Sequence, residues 1–487
     1  MKAIPSLLML DLRNISDENI IDDLRIRSAL PSSIVQIIKY PCDSREIKKR
    51  QDVFADILTN SSVNDAFCAL RRALTEFERA KQLFRRSSLK IEKTFFFMSA
   101  LEKYISLAKC FRSLCGKSER LSEINRYCLS EEFCKKIAEH EDAAEKLSEV
   151  LSGISKFNIT FAGHKTLREH SASPSFSDMI DEAAKKLGLE SQNIFIRHLE
   201  CDSSLSEGLC SLFDEAYGAA QDIIEKNKEI LTYDAKDALT AVEFYSDTVE
   251  LIKKASKHGI PYTIPRISEE KKLVIKDIYD ITLLSDNETI VPNDVMYDKN
   301  TPFYFLTGAN GGGKTTYLRA VGVNVALFLS GAPIFAKDAL MYCFKNIFTH
   351  FPKNEEFYLK GRLEDELERA KSMLERSEND SLLLFNETFS GADERHGLDL
   401  AVQTASMVTN SGNIGLFVTH FQGVAEFPYP ILRPETDSVS GENLRVYKIT
   451  RSSENIHAYT EDILRKYGLD KFSLEKRLKN EICRTKQ

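Results

Sequence analysis

No apolar run in this 487-residue chain approaches the 18 residues that a membrane-crossing helix needs. The early stretch "IPSLLMLDL" is too short, and too acidic on its far side, for a secretory signal. A soluble, cytoplasmic protein with no membrane partner is therefore expected. The ten cysteines lie scattered from Cys42 to Cys483 and contain no C-x-x-C pair. That spacing excludes a zinc site and a disulfide framework and predicts reduced, mostly buried thiols. Internal repeats and low-complexity segments are missing too. Positive charge is not in excess: 66 basic residues face 73 acidic ones, a net charge of −7. Any contact with nucleic acid must then come from a local patch.

What is present is a globular composition, 43% hydrophobic and 29% charged with 13 prolines, on a chain long enough for two or three domains. The first half reads as helix after helix. Residues 45–150, from "REIKKRQDVFADIL" to "EKLSEVL", follow this pattern. Phe213, Ala216, Tyr217, Ala220, Ile223 and Ile224 keep the i, i+3, i+4, i+7 spacing of an amphipathic helix. "AKDALTAVEFYSDTVELIKKASKHG" continues it until Gly259 and Pro261 stop it. Two stretches read instead as short strands, "KFNITFAG" (156–163) and "NIFIRHL" (193–199). After "GIPYTIPRI" the texture changes: "KLVIKDIYDITLL", "FYFLTG", "LLLF" and "IGLFVT" are β-branched or apolar runs between helical segments. Strands alternating with helices predict a mainly parallel sheet covered on both faces, with the boundary near residue 266.

The strand "FYFL" runs into "TGANGGGKTT", where Gly308, Gly313, Lys314 and Thr315 satisfy G-x-x-x-x-G-K-[ST]. Glycines allow the loop to wrap phosphates with its N–H groups inward, and the following helix aims its positive end at them. Lys314 is expected to reach the β/γ oxygens, and Thr315 to offer a hydroxyl to Mg2+. In a P-loop protein the strand beside the loop carries the metal-side residue, followed by a base that orients water. "LLLFNETFSG" puts Asn386 in the first position and Glu387 in the second. An amide lacks the charge of Asp, so weakened Mg2+ affinity is expected, with a site that binds nucleotide without turnover as the alternative. "GLFVTHF" ends a further strand in Thr419-His420; His420 reads equally as a structural hydrogen-bonding group or as a sensor of the γ-phosphate.

The order and spacing of "VPND" (291–294), "TGANGGGKTTYLR" (307–319), "SGAPIFA" (330–336), "IFT" (347–349), "NETFSGADERHGLDLA" (386–401) and "THF" (419–421) resemble the ATPase domain of the MutS family of DNA mismatch repair proteins. The likeness covers roughly residues 270–470, and "REIKKRQDVFADIL" (45–58) resembles the start of that family's helical core.

The resemblance implies an all-α helical core or lever domain followed by an ABC-like, MutS-type α/β P-loop ATPase domain. It divides the chain into an N-terminal segment (1–44), a helical domain (45–265) with a reduced clamp-like region near 156–200, and the ATPase domain (266–487) with dimerisation helices at its end. By position it implies ATP and Mg2+ held by Gly308, Asn310, Gly311, Gly312, Gly313, Lys314, Thr315 and Thr316. Thr315 and Asn386 stand on the metal side, Glu387 activates water and His420 senses nucleotide. Ile290 falls where the family stacks an aromatic residue on adenine. The family's serine that reaches into the partner's site falls at Leu363-Glu364, after Gly361-Arg362, and has no counterpart. No room is expected for the mismatch-reading and connector domains or for a C-terminal Smr nuclease.

A homodimeric, ATP-gated clamp on structured or branched DNA is the leading expectation. A nucleotide-driven switch acting on a protein or ribonucleoprotein, and a scaffold without turnover, are the alternatives. "ERAKQLFRRSSLKIEK" (78–93), with six Lys/Arg against two Glu, is either a DNA contact or a solvated helix face.

Overall fold

The protein is described from a computed structural model, which covers residues 5–10, 15–154, 157–162, 164–169, 210–211, 213–284, 289–352, 362–439 and 442–451. The chain forms two compact units. One comprises residues 1–9 and 55–246; the other comprises residues 10–54 and 247–487.

Three short helices open the chain: α1 (Asn19–Asp23), α2 (Ile26–Ala29) and α3 (Ser32–Ile38). Five long ones follow: α4 (Ser44–Thr59), α5 (Ser61–Arg86), α6 (Lys90–Arg112), α7 (Glu119–Cys128) and α8 (Glu131–Ile154). After them come the antiparallel pair β1 (Phe157–Ala162) and β2 (His164–Glu169), then α9 (Asp214–Asn227) and α10 (Ala235–Lys257). The unit boundaries fall inside α4 and α10. Residues 15–44, expected as a separate segment, therefore belong with the unit that holds the P-loop.

The helical unit follows directly from its sequence pattern. On α5 the buried residues Val63, Ala66, Phe67, Leu70, Ala73, Leu74 and Phe77 repeat at three- and four-residue spacing, one apolar stripe against α6. The Asn60 side chain accepts from Ser62 N at 3.1 Å and caps the helix start. Lys81, one of the six basic residues of 78–93, turns inward, pairs with Glu78 and donates to Tyr233 O at 2.7 Å. The other five, Arg79, Arg85, Arg86, Lys90 and Lys93, are exposed around the α5–α6 turn. The expected strand at 156–163 is β1, and its partner is the adjoining stretch β2. The other expected strand, 193–199, lies outside the described residues.

In the second unit, β3 (Arg266–Ser268), β4 (Leu273–Ile278), β5 (Asn293–Tyr297) and β7 (Asp338–Tyr342) form a small mixed sheet in the order β3-β7-β4-β5. The larger sheet has the order β12-β11-β6-β10-β9-β8. Its strands are β6 (Phe303–Thr307), β8 (Ile347–His350), β9 (Leu382–Asn386), β10 (Ile414–Thr419), β11 (Ile431–Val439) and β12 (Glu442–Arg451). From β8 to β11 every pairing is parallel, and only β12 runs antiparallel.

Strands β6, β9 and β10 are buried at every position because both faces of the sheet are covered. On one face Phe303, Phe305, Phe385 and Phe417 join Ala401, Ala405 and Val408 of α13 (Glu394–Asn410), and Ala370 and Met373 of α12 (Arg362–Arg376). Phe385 and Phe417 stack at 5.1 Å. On the other face runs α11 (Lys314–Leu329), whose Gly322 is so close to Leu24 and Leu384 that a Cβ would come within 2.7 and 2.8 Å of them. Among the described residues no helix is long and apolar enough to cross a membrane.

Candidate functional site

Parallel strands end together, so the register of the large sheet decides what meets at its C-terminal edge. Thr307, the last residue of β6, pairs with Thr419 of β10, and Val418 pairs with Asn386 of β9. The P-loop after β6, the Asn386-Glu387 pair after β9 and His420 after β10 therefore leave the sheet at one edge. Strand β10 stands between β6 and β9, so Asn386 reaches the P-loop helix across the end of the sheet rather than from a directly paired strand. Its side-chain carbonyl accepts from Thr315 Oγ1 at 3.1 Å.

Two glycines make the loop possible. Gly308 has φ +142°, and a Cβ there would sit 2.7 Å from Pro434 Cδ. Gly313, with φ +88°, begins α11 in the left-handed region. Pro434 of β11 also lies against Gly312, closing the loop from below. Lys314 is buried at the helix start and folds back over the loop: Nζ donates to Gly308 O at 2.5 Å, Ala309 O at 3.1 Å and Asn310 Oδ1 at 3.4 Å. Burial pulls its ammonium below the ordinary lysine value, and the Glu387 carboxylate partly offsets this. A buried ammonium whose partners are mainly loop carbonyls has much to gain from an anion. Thr316, next on α11, is half-buried, and Asn310 and Gly311 are exposed at the loop tip.

Glu387 itself is left-handed, φ +50°, as is Phe389 at +67°. Three anchors hold this turn. Glu387 N donates to Val418 O at 2.8 Å, Thr388 is hydrogen-bonded to His350 on β8, and Phe389 is buried in the apolar cluster beneath the sheet. His420 is exposed, its ring against Phe421 at 4.5 Å between centroids.

The "VPND" stretch works as a clamp. The Asn293 side chain donates to Tyr447 O at 3.1 Å and accepts from Ile449 N at 2.6 Å, tying β5 to β12. Asp294 O accepts from the Tyr317 hydroxyl of α11 at 3.0 Å. Ile290 lies half-buried in the segment leading to Asn293. The aromatic group at the loop is one the sequence reading missed: Tyr447 has φ +55°, is 45% exposed, and its ring Cδ1 lies 3.4 Å from where a Gly313 Cβ would be. A lone tyrosine in "LRVYKIT" carries no motif, and only the antiparallel return of β12 brings it to the P-loop. Leu363 packs against the apolar cluster and Glu364 is exposed, while Gly361 and the C-terminal stretch expected to form dimerisation helices lie outside the described residues.

For a divalent cation the donors on hand are the Thr315 hydroxyl and the Asn386 carbonyl, both hard oxygens and both neutral. Among the described residues no group of three His, Cys, Asp or Glu side chains could hold a metal without help. Such a pair fits Mg2+ that takes most of its oxygens from phosphate and water.

Residues 304–469 match MutS domain V. The Endonuclease MutS2 of Bacillus cereus (strain Q1) is 28% identical to this chain over 225 residues, 46% of this chain and 27% of that protein. The proteins of the same name from Bacillus anthracis and Bacillus thuringiensis (strain Al Hakam) match to the same extent. The match thus spans about a quarter of the length of these curated relatives. By the domain V match and these relatives, residues 304–469 are similar to MutS domain V, and the chain resembles MutS-family proteins over 225 residues.

Proposed function

We propose that this chain is an ATP hydrolase of the ABC-like MutS type that uses its nucleotide state to control a homodimeric clamp on DNA, with structured or branched DNA preferred. The observation that carries the ATPase half is the meeting of Lys314, Thr315, Asn386 and Glu387 at one sheet edge. On binding, Lys314 exchanges its loop carbonyls for β/γ-phosphate oxygens, and the amides of Gly311, Gly312 and Gly313 with the first turn at Thr316 take the remaining charge. Thr315 and Asn386 hold Mg2+, which supplies charge on the phosphate oxygens when bound. Glu387 takes the proton of the attacking water, and His420, at the end of β10, faces the terminal phosphate. Tyr447, with Ile290 in the neighbouring segment, supplies a surface for the base.

The DNA half of the reading is supported by the five exposed cations around the α5–α6 turn, which survive the loss of Lys81 to the core. Phosphate contacts of this kind carry affinity rather than sequence preference. The hairpin β1–β2 is assigned to the reduced clamp, and residues 266–487 with 10–54 to the ATPase domain.

Turnover of ATP by the full chain, compared with Lys314→Ala and Glu387→Gln, tests the first half. Lys314→Ala is expected to lose ATP binding, and Glu387→Gln to keep it while slowing hydrolysis by about 10²-fold or more. Parent-rate hydrolysis in Glu387→Gln puts the base elsewhere. Retention of duplex and four-way junction DNA across a salt series tests the second half. Binding that falls steeply with salt is expected, whereas an active ATPase that ignores DNA at low salt turns the reading towards a protein or ribonucleoprotein partner.

A further inference from the structure

Behind Glu387 stands a buried histidine that no motif marks. His350 is the last residue of β8, on the opposite side of β9 from the P-loop strand, and it is 2% exposed. Its two ring nitrogens have different partners. Nε2 lies 3.2 Å from Glu366 O of α12, and Nδ1 lies 2.9 Å from the hydroxyl of Thr388, itself 2% exposed. A carbonyl can only accept, so Nε2 carries the proton. In the neutral ring Nδ1 must then accept, and the Thr388 hydroxyl donates to it. Burial, helped by the Arg369 charge, holds the ring's pKa down to about 4, with Asp365 and two backbone carbonyls opposing; the neutral form follows.

Thr388 is the neighbour of Glu387, and Glu387 is in a backbone region that costs a non-glycine residue about 1 kcal/mol or more. Such a conformation persists only where the surroundings over-determine it. Of its three anchors, one is a backbone bond and one is the burial of Phe389. The Thr388–His350 bond is the one of the three that is a hydrogen bond between side chains. Losing it leaves the buried hydroxyl only its long contact to the main-chain His350 O, at 3.5 Å, and frees the turn to relax to negative φ, which swings the carboxylate away.

We propose that His350 is a positioning residue for Glu387, acting through its Nδ1 bond to Thr388 and braced by its Nε2 bond to α12. This rests on the reading of Glu387 as the base.

Two substitutions separate the halves of the imidazole. In His350→Asn the side-chain oxygen stands close to where Nδ1 stood and still accepts from Thr388. In His350→Gln the amide nitrogen stands close to where Nε2 stood and serves only Glu366 O. With folding checked by circular dichroism and ATP affinity by a fluorescent analogue, His350→Asn should keep kcat within about threefold. His350→Gln should lose at least tenfold in kcat at unchanged ATP affinity. Thr388→Val should lose as much, and the double variant His350→Gln/Thr388→Val no more than either single one. Equal kcat in the Asn and Gln variants, or losses that multiply in the double variant, overturn the proposal. If Glu387→Gln itself turns over at the parent rate, the identity of the base falls, and the role of His350 falls with it.

Discussion

The Thr315 hydroxyl donates to the Asn386 side-chain carbonyl at 3.1 Å, joining the first turn after the P-loop to the end of a strand two places away in the sheet. Both groups are neutral, so a cation held there would gain oxygens from the pair but no charge. Asn386→Asp restores the charge at the same atom position. A charge-assisted contact exceeds a neutral one by about 1 kcal/mol or more, so the Mg2+ concentration for half-maximal ATP turnover should fall about tenfold. Titrating Mg2+ against turnover in parent and variant checks this. An unchanged midpoint removes Asn386 from the metal side.

Tyr447 sits in a strained conformation beside Gly313, at a place where a strand would ordinarily have negative φ. If the ring faces the base of the nucleotide, Tyr447→Ala should weaken ATP binding about five- to tenfold and Tyr447→Phe should not. Tyr447→Gly should bind as poorly as the alanine variant, yet unfold within about 0.5 kcal/mol of the parent, because glycine releases the backbone strain. Calorimetric titration with ATP and urea unfolding give both numbers. Equal ATP affinity in all four proteins sinks the role.

The readability of this fold depended on how local each feature is. "FYFL", "LLLF" and "IGLFVT" were legible as strands because burial on both faces writes continuous apolar runs. Lys314 was legible from the glycine-rich motif that opens α11, and Asn386 and Glu387 because they stand where β9 ends. The stop of α10 was legible in Gly259, which takes φ +73°. What escaped is what distant segments create. Arg319 of the P-loop helix donates to Asp23 O, and Thr349 of β8 donates to Asp23 Oδ2 at 2.7 Å, across hundreds of residues of sequence. His350 and Tyr447 are ordinary residues until β8 and β12 set them beside Thr388 and Gly313. The small mixed sheet escaped as well, because β3 has only three residues and the strands pair out of chain order.

The same distant contacts make residues 15–54 part of the unit that holds the glycine-rich loop. Leu24 is fully buried against Gly322 of the P-loop helix, Arg376 reaches Asp17 at 3.1 Å, and Arg50 donates to Ser330 O at 2.9 Å. Leu24→Ala should therefore cost about 2–4 kcal/mol. Gly322→Ala should cost a comparable amount, because its Cβ has no room. The exposed ion pair Arg27–Asp22, a few residues away, should contribute no more than about 0.5 kcal/mol when Arg27→Ala removes it. Urea unfolding of the three variants ranks them, and a Leu24→Ala cost as small as that of Arg27→Ala would mean the segment only decorates the surface.

His350 also gives the chain a specific acid sensitivity. Its folded pKa is depressed from 6.5 to about 4, chiefly by burial. Between these values the unfolded chain takes up a proton that the folded chain refuses, so stability falls as pH drops through this window and is unaffected by the group above about 7. From pH 7 to pH 5 the loss from this one ring is roughly 2 kcal/mol by linkage. His350→Asn cannot titrate, so its stability should fall less over the same interval by that amount, although the variant starts lower at pH 7. Every other titratable group is common to both proteins, so the difference between the two pH profiles isolates the ring. Urea midpoints measured at half-unit steps from pH 7.5 to 4.5 give the comparison. Parallel profiles would mean that the ring is charged, or open to water, in the folded protein, and the Nδ1 acceptor assigned to it would then be wrong.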